Sequence, residues 1–216
     1  MMTPSNFVSQ FSELDLPLHG VRLPSFTIEN KHKRQVGVSE DVDNYDFLKA
    51  MALTGLRDLG LKKNSKLYKQ YVERAQHELD TLKGLGFIDY VLLVWDVINY
   101  CKQEKIPTGQ GRGSAAGSLI LFLIGVTGID PIRYGLYFER FVSKIRAKKK
   151  VVDGVTYLDG TLMCDVDIDV CYYRRQEVLK YLEEKFAGKT SKILTLNTLS
   201  GKLLIKECGK IAASKN

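Results

Sequence analysis

The 216-residue chain has 44% hydrophobic and 26% charged side chains, a balance that excludes wholesale disorder and suits one domain with a sizeable core. Its net charge is +7 and the excess is localised: Lys144 to Lys150 reads KIRAKKK, and the stretch from Lys189 onward carries six lysines against one acid, Glu207, a pattern that attracts phosphate backbones. No apolar run approaches the roughly 18 residues of a membrane span, and the amino end lacks a basic-then-apolar signal, so a cytoplasmic protein with no membrane partner is expected.

In chain order, residues 1–40 read as an amino-terminal arm, with Pro4, Pro17, Pro24, a basic run from Lys31 to Arg34 and little periodicity. Residues 41–216 read as one domain. Phe47, Leu48, Met51, Leu56 and Leu59 predict a helix from Asn44 to Gly60. Tyr68, Tyr71, Val72, Ala75, Leu79 and Leu82 mark the stripe of a second helix, ended by Gly84 and Gly86. A third, more apolar helix runs from Asp89 to Lys102, and its Trp95 is expected in the core rather than on a base. A glycine-rich turn from Thr108 to Gly117 leads into a short apolar helix, Ser118 to Ile124.

Lys149 to Leu158 reads as a hairpin around Asp153-Gly154, the favoured two-residue turn. A strand is predicted over Cys164 to Val170, then an amphipathic helix through Val178, Leu182 and Phe186. A strand at Ile193 to Leu196 and a helix from Thr198 to Ala213, capped by Asn197 or Thr198, complete the pattern. Helices mixed with a hairpin and separate strands imply an α+β fold. Cys101, Cys164, Cys171 and Cys208 form no C-x-x-C pair and lie far from His19, His32 and His77, so no zinc site is expected and the thiols are given no role.

Two constellations carry chemistry. In Asp165-Val166-Asp167-Ile168-Asp169-Val170, alternation over a strand puts three carboxylates on one face and three branched apolar side chains on the other. Neighbouring carboxylates repel, and a bound cation relieves the repulsion; oxygen-only ligands in small number favour Mg²⁺ or Mn²⁺ over zinc or calcium. The plain alternative is a solvated acidic face.

The second constellation, Gly109 to Ser118 (GQGRGSAAGS), lets the backbone approach an anion, and a helix amino end with Arg112 and two serines supplies donors. No Lys-Ser or Lys-Thr follows, so this is not a Walker loop. Gly111, Gly113 and Ala116 fit the loose dinucleotide pattern G-x-G-x-x-A, making an NAD(P)-binding domain the rival, although Ile106-Pro107-Thr108 is a poor strand to precede it. A phosphate cradle together with an acidic metal segment suits phosphoryl transfer to a nucleic-acid end.

At these residues the sequence resembles the C-family replicative polymerases, the alpha subunit of bacterial DNA polymerase III. Glu78-Leu79-Asp80 through Gly86-Phe87, Tyr90 to Asp96, Gly109 to Ser118, Ile129-Asp130-Pro131, Phe138 to Phe141 and Asp165 to Asp169 occur in family order. The resemblance implies a polymerase-beta-like nucleotidyltransferase palm, a mixed small sheet with flanking helices, present here only in part over residues 41–216. It makes Asp165 and Asp167 catalytic metal ligands, with Asp169 accompanying them. It assigns the incoming nucleotide to Gly111, Arg112, Gly113, Ser114, Gly117, Ser118 and Arg140. Lys202 falls on a basic position of a later family motif, and the cluster Lys148, Lys149 and Lys150 is expected to meet DNA phosphates.

The implied activity is DNA-directed DNA synthesis in replication, with Mg²⁺ or Mn²⁺, deoxynucleoside triphosphates and primer–template DNA. Cys164 stands where the family has proline, and the segment between Phe141 and Asp165 is longer than usual. The family's third metal-binding aspartate lies beyond the matched region. The chain is therefore expected to be inactive alone and to work with a partner chain carrying the rest of the polymerase. A non-catalytic or degenerate nucleotide- or DNA-binding fragment is the alternative.

Overall fold

The computed structural model describes residues 25–142, 164–191 and 200–214, and the backbone alone of 21–22, 149–152 and 155–158. It divides into two compact units, Met1–Val178 and Leu179–Asn216. No helix among the described residues is long and apolar enough to cross a membrane.

In the first unit the helices are α1 (Asn30–Val36), α2 (Asn44–Asp58), α3 (Lys66–Leu85), α4 (Ile88–Gln103) and α5 (Leu119–Leu123). Two of the long helices, α2 and α3, are bounded by local caps. Asp43 accepts from the Asp46 N–H to cap α2, Ser65 accepts from the Tyr68 N–H to cap α3, and Gly86 in the left-handed conformation closes α3. Their apolar stripes meet in a core that includes Phe47, Leu48, Leu82, Leu92, Ile98, Leu119 and Ile120. Trp95 packs there as expected, edge-on to Phe47 at 5.8 Å between ring centroids and to His32 at 5.2 Å.

The described end of the arm is tied to this core. Phe26 and Ile28 are buried. The Phe26 N–H donates to Asp89 Oδ2 at 3.0 Å, and the Asn44 side-chain amide donates to Phe26 O and Asp89 Oδ1, both at 2.7 Å.

The expected palm, an α+β fold built on a mixed small sheet, is not what these residues form. They are dominated by helices. The sheet among them is small and wholly antiparallel: β1 (Val21–Arg22), β2 (Lys149–Val152) and β3 (Val155–Leu158) in the order β1-β3-β2. The hairpin has the expected register, Val152 opposite Val155.

The acidic segment does not join that sheet. It is extended but forms only an isolated antiparallel bridge, Val170 with Thr108, so alternation created an amphipathic chain without the ladder that would make it a strand. The predicted strand Ile193 to Leu196 lies outside the described residues. Helix α6 (Arg175–Lys185) begins in the first unit and continues into the second. In the second unit, α7 (Gly201–Ala213) is capped by Ser200, which accepts from the Leu203 N–H, rather than by Asn197 or Thr198.

Candidate functional site

The fold brings the glycine-rich loop and the acidic segment side by side. The Gly109 N–H donates to Asp169 O at 2.8 Å, and the Cys171 N–H donates to Pro107 O at 3.0 Å, on either side of the Thr108–Val170 bridge. This pairing requires a very small residue on the loop side. A Cβ at Gly109 would lie 2.9 Å from the Asp169 Cβ. Gly113, at φ +62°, faces the next carboxylate, since a Cβ there would lie 3.0 Å from Asp167 Oδ2. Arg112 reaches across as well, its Nη1 3.3 Å from Asp169 Oδ1. That pair is 67% and 59% exposed, so it adds at most about 1 kcal/mol to stability.

Burial follows the alternation expected of an extended segment. Asp165, Asp167 and Asp169 are exposed, while Val166, Ile168 and Val170 are half-buried. Beneath the start of the segment sit buried Cys164 and the half-buried Tyr90 of α4. Burial, with the neighbouring Cys164, Asp165 and Asp167, pushes the Tyr90 phenol up to about 12. Burial likewise pushes the Cys164 thiol up to about 12. Both groups stay neutral under the carboxylates, so they add no charge to the site. The three aspartates do not converge as a ligand triad: among the described residues their donor atoms are not gathered within 4.8 Å of one another.

The rest of the loop serves a different purpose from the one its sequence suggested. Ser118 is fully buried; its hydroxyl donates to Glu78 Oε2 at 2.9 Å and accepts from the Leu121 N–H at 3.2 Å. The N–H groups of Leu119 and Ile120 donate to the Glu78 carboxylate at 3.0 and 3.1 Å. The anion at the amino end of α5 is thus a side chain of α3, and Ser118 is a helix cap rather than a phosphate contact. Gly117 is buried too, where a Cβ would stand 2.6 Å from Tyr137 O. Arg74 completes the strut. Its Nε donates to Glu78 Oε1 at 2.6 Å, its Nη2 to Gly117 O at 3.0 Å and Leu136 O at 3.3 Å, and its guanidinium lies over the Phe138 ring.

The remaining expected site residues divide between surface and undescribed chain. Arg112 and Gly113 are exposed, and Gly111 and Ser114 are half-buried, with Gly111 at φ +141° against Thr127. Arg140 is exposed at the end of the 3₁₀ turn Phe138–Arg140. Lys202 is exposed in the first turn of α7, in the second unit. Lys149 and Lys150 belong to β2, whose side chains, like Lys148 altogether, lie outside the described residues. Sequence reasoning gave no role to Arg74, Glu78 or Tyr90. The available signal was a carboxylate, Glu78, inside the apolar stripe of α3 with an arginine four residues before it.

Residues 46–216 match the family model described as the bacterial DNA polymerase III alpha NTPase domain. The chain is 34% identical to DNA polymerase III subunit alpha of Bacillus subtilis over 205 residues, 94% of this chain and 16% of that protein. It is 34% identical to the Helicobacter pylori J99 subunit over 190 residues, 87% of this chain and 14% of the relative, and 40% identical to the Chlamydia trachomatis subunit over 139 residues, 64% and 10%. The chain belongs to the bacterial DNA polymerase III alpha family. The chain spans 16% or less of the length of these relatives.

Proposed function

We propose that the chain is the nucleotide-phosphate- and metal-binding region of a DNA-directed DNA polymerase, taking deoxynucleoside triphosphate, Mg²⁺ or Mn²⁺ and primer–template DNA. The observation that supports this most is the approach of Gly113 to Asp167 beside the Arg112–Asp169 pair. It sets a loop fit for phosphates against exposed carboxylates fit for a hard cation. Asp165 and Asp167 are oxygen donors on one exposed face and would hold the ion. Bound there, the ion would neutralise triphosphate charge and stabilise the attacking and leaving oxygens.

The chain's own residues do the positioning. Gly111 to Ser114 offer backbone and hydroxyl donors, and Arg112 exchanges Asp169 for a phosphate oxygen in a charge-assisted contact. Tyr90 and Cys164 hold the acidic segment in place without adding charge. Arg140, Lys148, Lys149, Lys150 and Lys202 supply further phosphate contacts. Gly117, Ser118, Glu78 and Arg74 fix the shape of the loop from behind. The dinucleotide rival lacks its buried strand, since Thr108 makes only an isolated bridge among the described residues.

Titration of Mn²⁺ and a deoxynucleoside triphosphate together, followed by calorimetry and Mn²⁺ relaxation, tests the reading. Asp165→Asn and Asp167→Asn should each weaken joint binding by tenfold or more. Unchanged binding in both variants, or binding of NAD in preference to deoxynucleotides, would overturn it.

A further inference from the structure

We infer that Tyr172 and Tyr173 form a stacking platform for unpaired bases of a DNA strand lying beside the acidic segment, an assignment that rests on reading that segment as part of a polymerase site. The two tyrosines follow Asp169 by three and four residues, in the 3₁₀ turn Tyr172–Arg174, and are 85% and 91% exposed. Their rings meet edge to face, with centroids 5.7 Å apart and planes at 81°.

The turn that carries them is anchored at both ends. Before it, Val170 bridges to Thr108 and the Cys171 N–H donates to Pro107 O at 3.0 Å. At its far end Arg174 Nη1 donates to Glu104 O at 2.8 Å and to Lys105 O at 3.3 Å, while Nε and Nη2 donate to the two Glu177 carboxylate oxygens at 2.7 and 2.6 Å. A 3₁₀ turn has three residues per revolution, so with Arg174 directed back to the chain, Tyr172 and Tyr173 take the two outward sides. An anchored backbone displays the rings, which lowers the ordering cost of binding to them.

A single exposed tyrosine is ordinary surface. Two adjacent ones on an anchored turn, one step beyond a row of carboxylates, call for a ligand with flat faces. In an edge-to-face pair one ring keeps both faces clear of its neighbour and the other keeps one, so flat groups have somewhere to lie. Cations accompany the rings: Arg175 is exposed and next in the chain, and Arg112 is 67% exposed beside Asp169. Aromatic faces with cations alongside suit single-stranded nucleic acid, whose bases stack while its phosphates meet the charges. A duplex interior hides its base faces, so the strand bound here is an unpaired overhang, and stacking holds it without reading its sequence.

The test uses the whole chain and fluorescence anisotropy with three probes: a blunt duplex, the same duplex with a short overhang, and one whose overhang is abasic but carries the same phosphates. The base-bearing overhang should bind about tenfold or more tighter than the abasic one. That preference should persist as salt rises, although affinity for all three probes falls. Replacing both tyrosines with alanine should abolish it, whereas Tyr172→Phe and Tyr173→Phe, which keep the rings, should preserve it. Equal binding of the two overhangs by the parent overturns the platform; if the joint Mn²⁺ and deoxynucleotide titration still depends on Asp165 and Asp167, the polymerase reading stands without it. A preference that survives the double alanine replacement also overturns it. So does self-association of the parent that the double replacement removes with no base preference in either chain, which marks the pair as a protein contact.

Discussion

Glu78 shows how much of the loop depends on one side chain outside it. Four donors converge on its carboxylate: the Ser118 hydroxyl, the Leu119 and Ile120 N–H groups, and Arg74 Nε. Burial pushes the carboxyl up, while the two N–H groups and Arg74 pull it back. Alanine at this position would strand two N–H groups and leave Arg74 without its carboxylate partner. Breaking a buried pair of this kind costs about 3 to 5 kcal/mol. Glu78→Ala should therefore lower the urea midpoint sharply, whereas Ser118→Ala, which loses a cap, should cost about 1 kcal/mol. Equal and small effects from the two variants would show that the strut does not hold the loop.

At the scale of elements, the helices were legible because their stripes repeat at helical spacing and their caps are local. The expected positions from Asn44, Tyr68, Asp89 and Ser118 agree with α2 to α5 within the first turn, and the hairpin follows from Asp153-Gly154 between valines. Partners distant in sequence were not legible. Alternation at Asp165 to Val170 correctly separated exposed from half-buried residues, but strand formation depends on a neighbouring ladder, and here only Thr108 provides a bridge. The glycine run was read as letting the backbone approach an anion, and in the structure it lets other parts of the chain come close. What approaches is the acidic segment at Gly109 and Gly113 and a backbone carbonyl at Gly117, so its buried half is packing.

The footing of the acidic segment has a pH consequence. Cys164, ordinarily at 9.0, is raised to about 12, and Tyr90, ordinarily at 10.0, to about 12. Between these values the folded chain keeps protons that the unfolded chain releases, so stability falls as pH rises, beginning near 9 and continuing to about 12. Urea titrations between pH 8 and 11 should show this loss, reduced in Cys164→Ser relative to the parent. Iodoacetamide at pH 8 should label exposed Cys208 and spare buried Cys164 until unfolding. A pH-independent midpoint, or rapid labelling of Cys164 in the folded chain, would contradict the buried footing.

At the scale of the molecule, the net charge of +7 is carried largely by groups outside the helical core, at Lys144 to Lys150 and from Lys189 onward. Association with DNA through such groups is driven by release of condensed counterions, so it should weaken linearly in log K against log salt. Each lysine that meets a phosphate of duplex DNA contributes about 0.9 to that slope. Replacing Lys148, Lys149 and Lys150 with alanine should therefore flatten the slope by about 2 to 3 and weaken all DNA sequences alike, because phosphate contacts carry no sequence information. Lys202→Ala, a single exposed lysine on α7, should change it by about 1 or less. Fluorescence anisotropy with primed duplex at several salt concentrations measures both. A slope near zero in the parent, or one unaltered by the triple replacement, would show that the basic hairpin is a solvated surface and that DNA is held elsewhere.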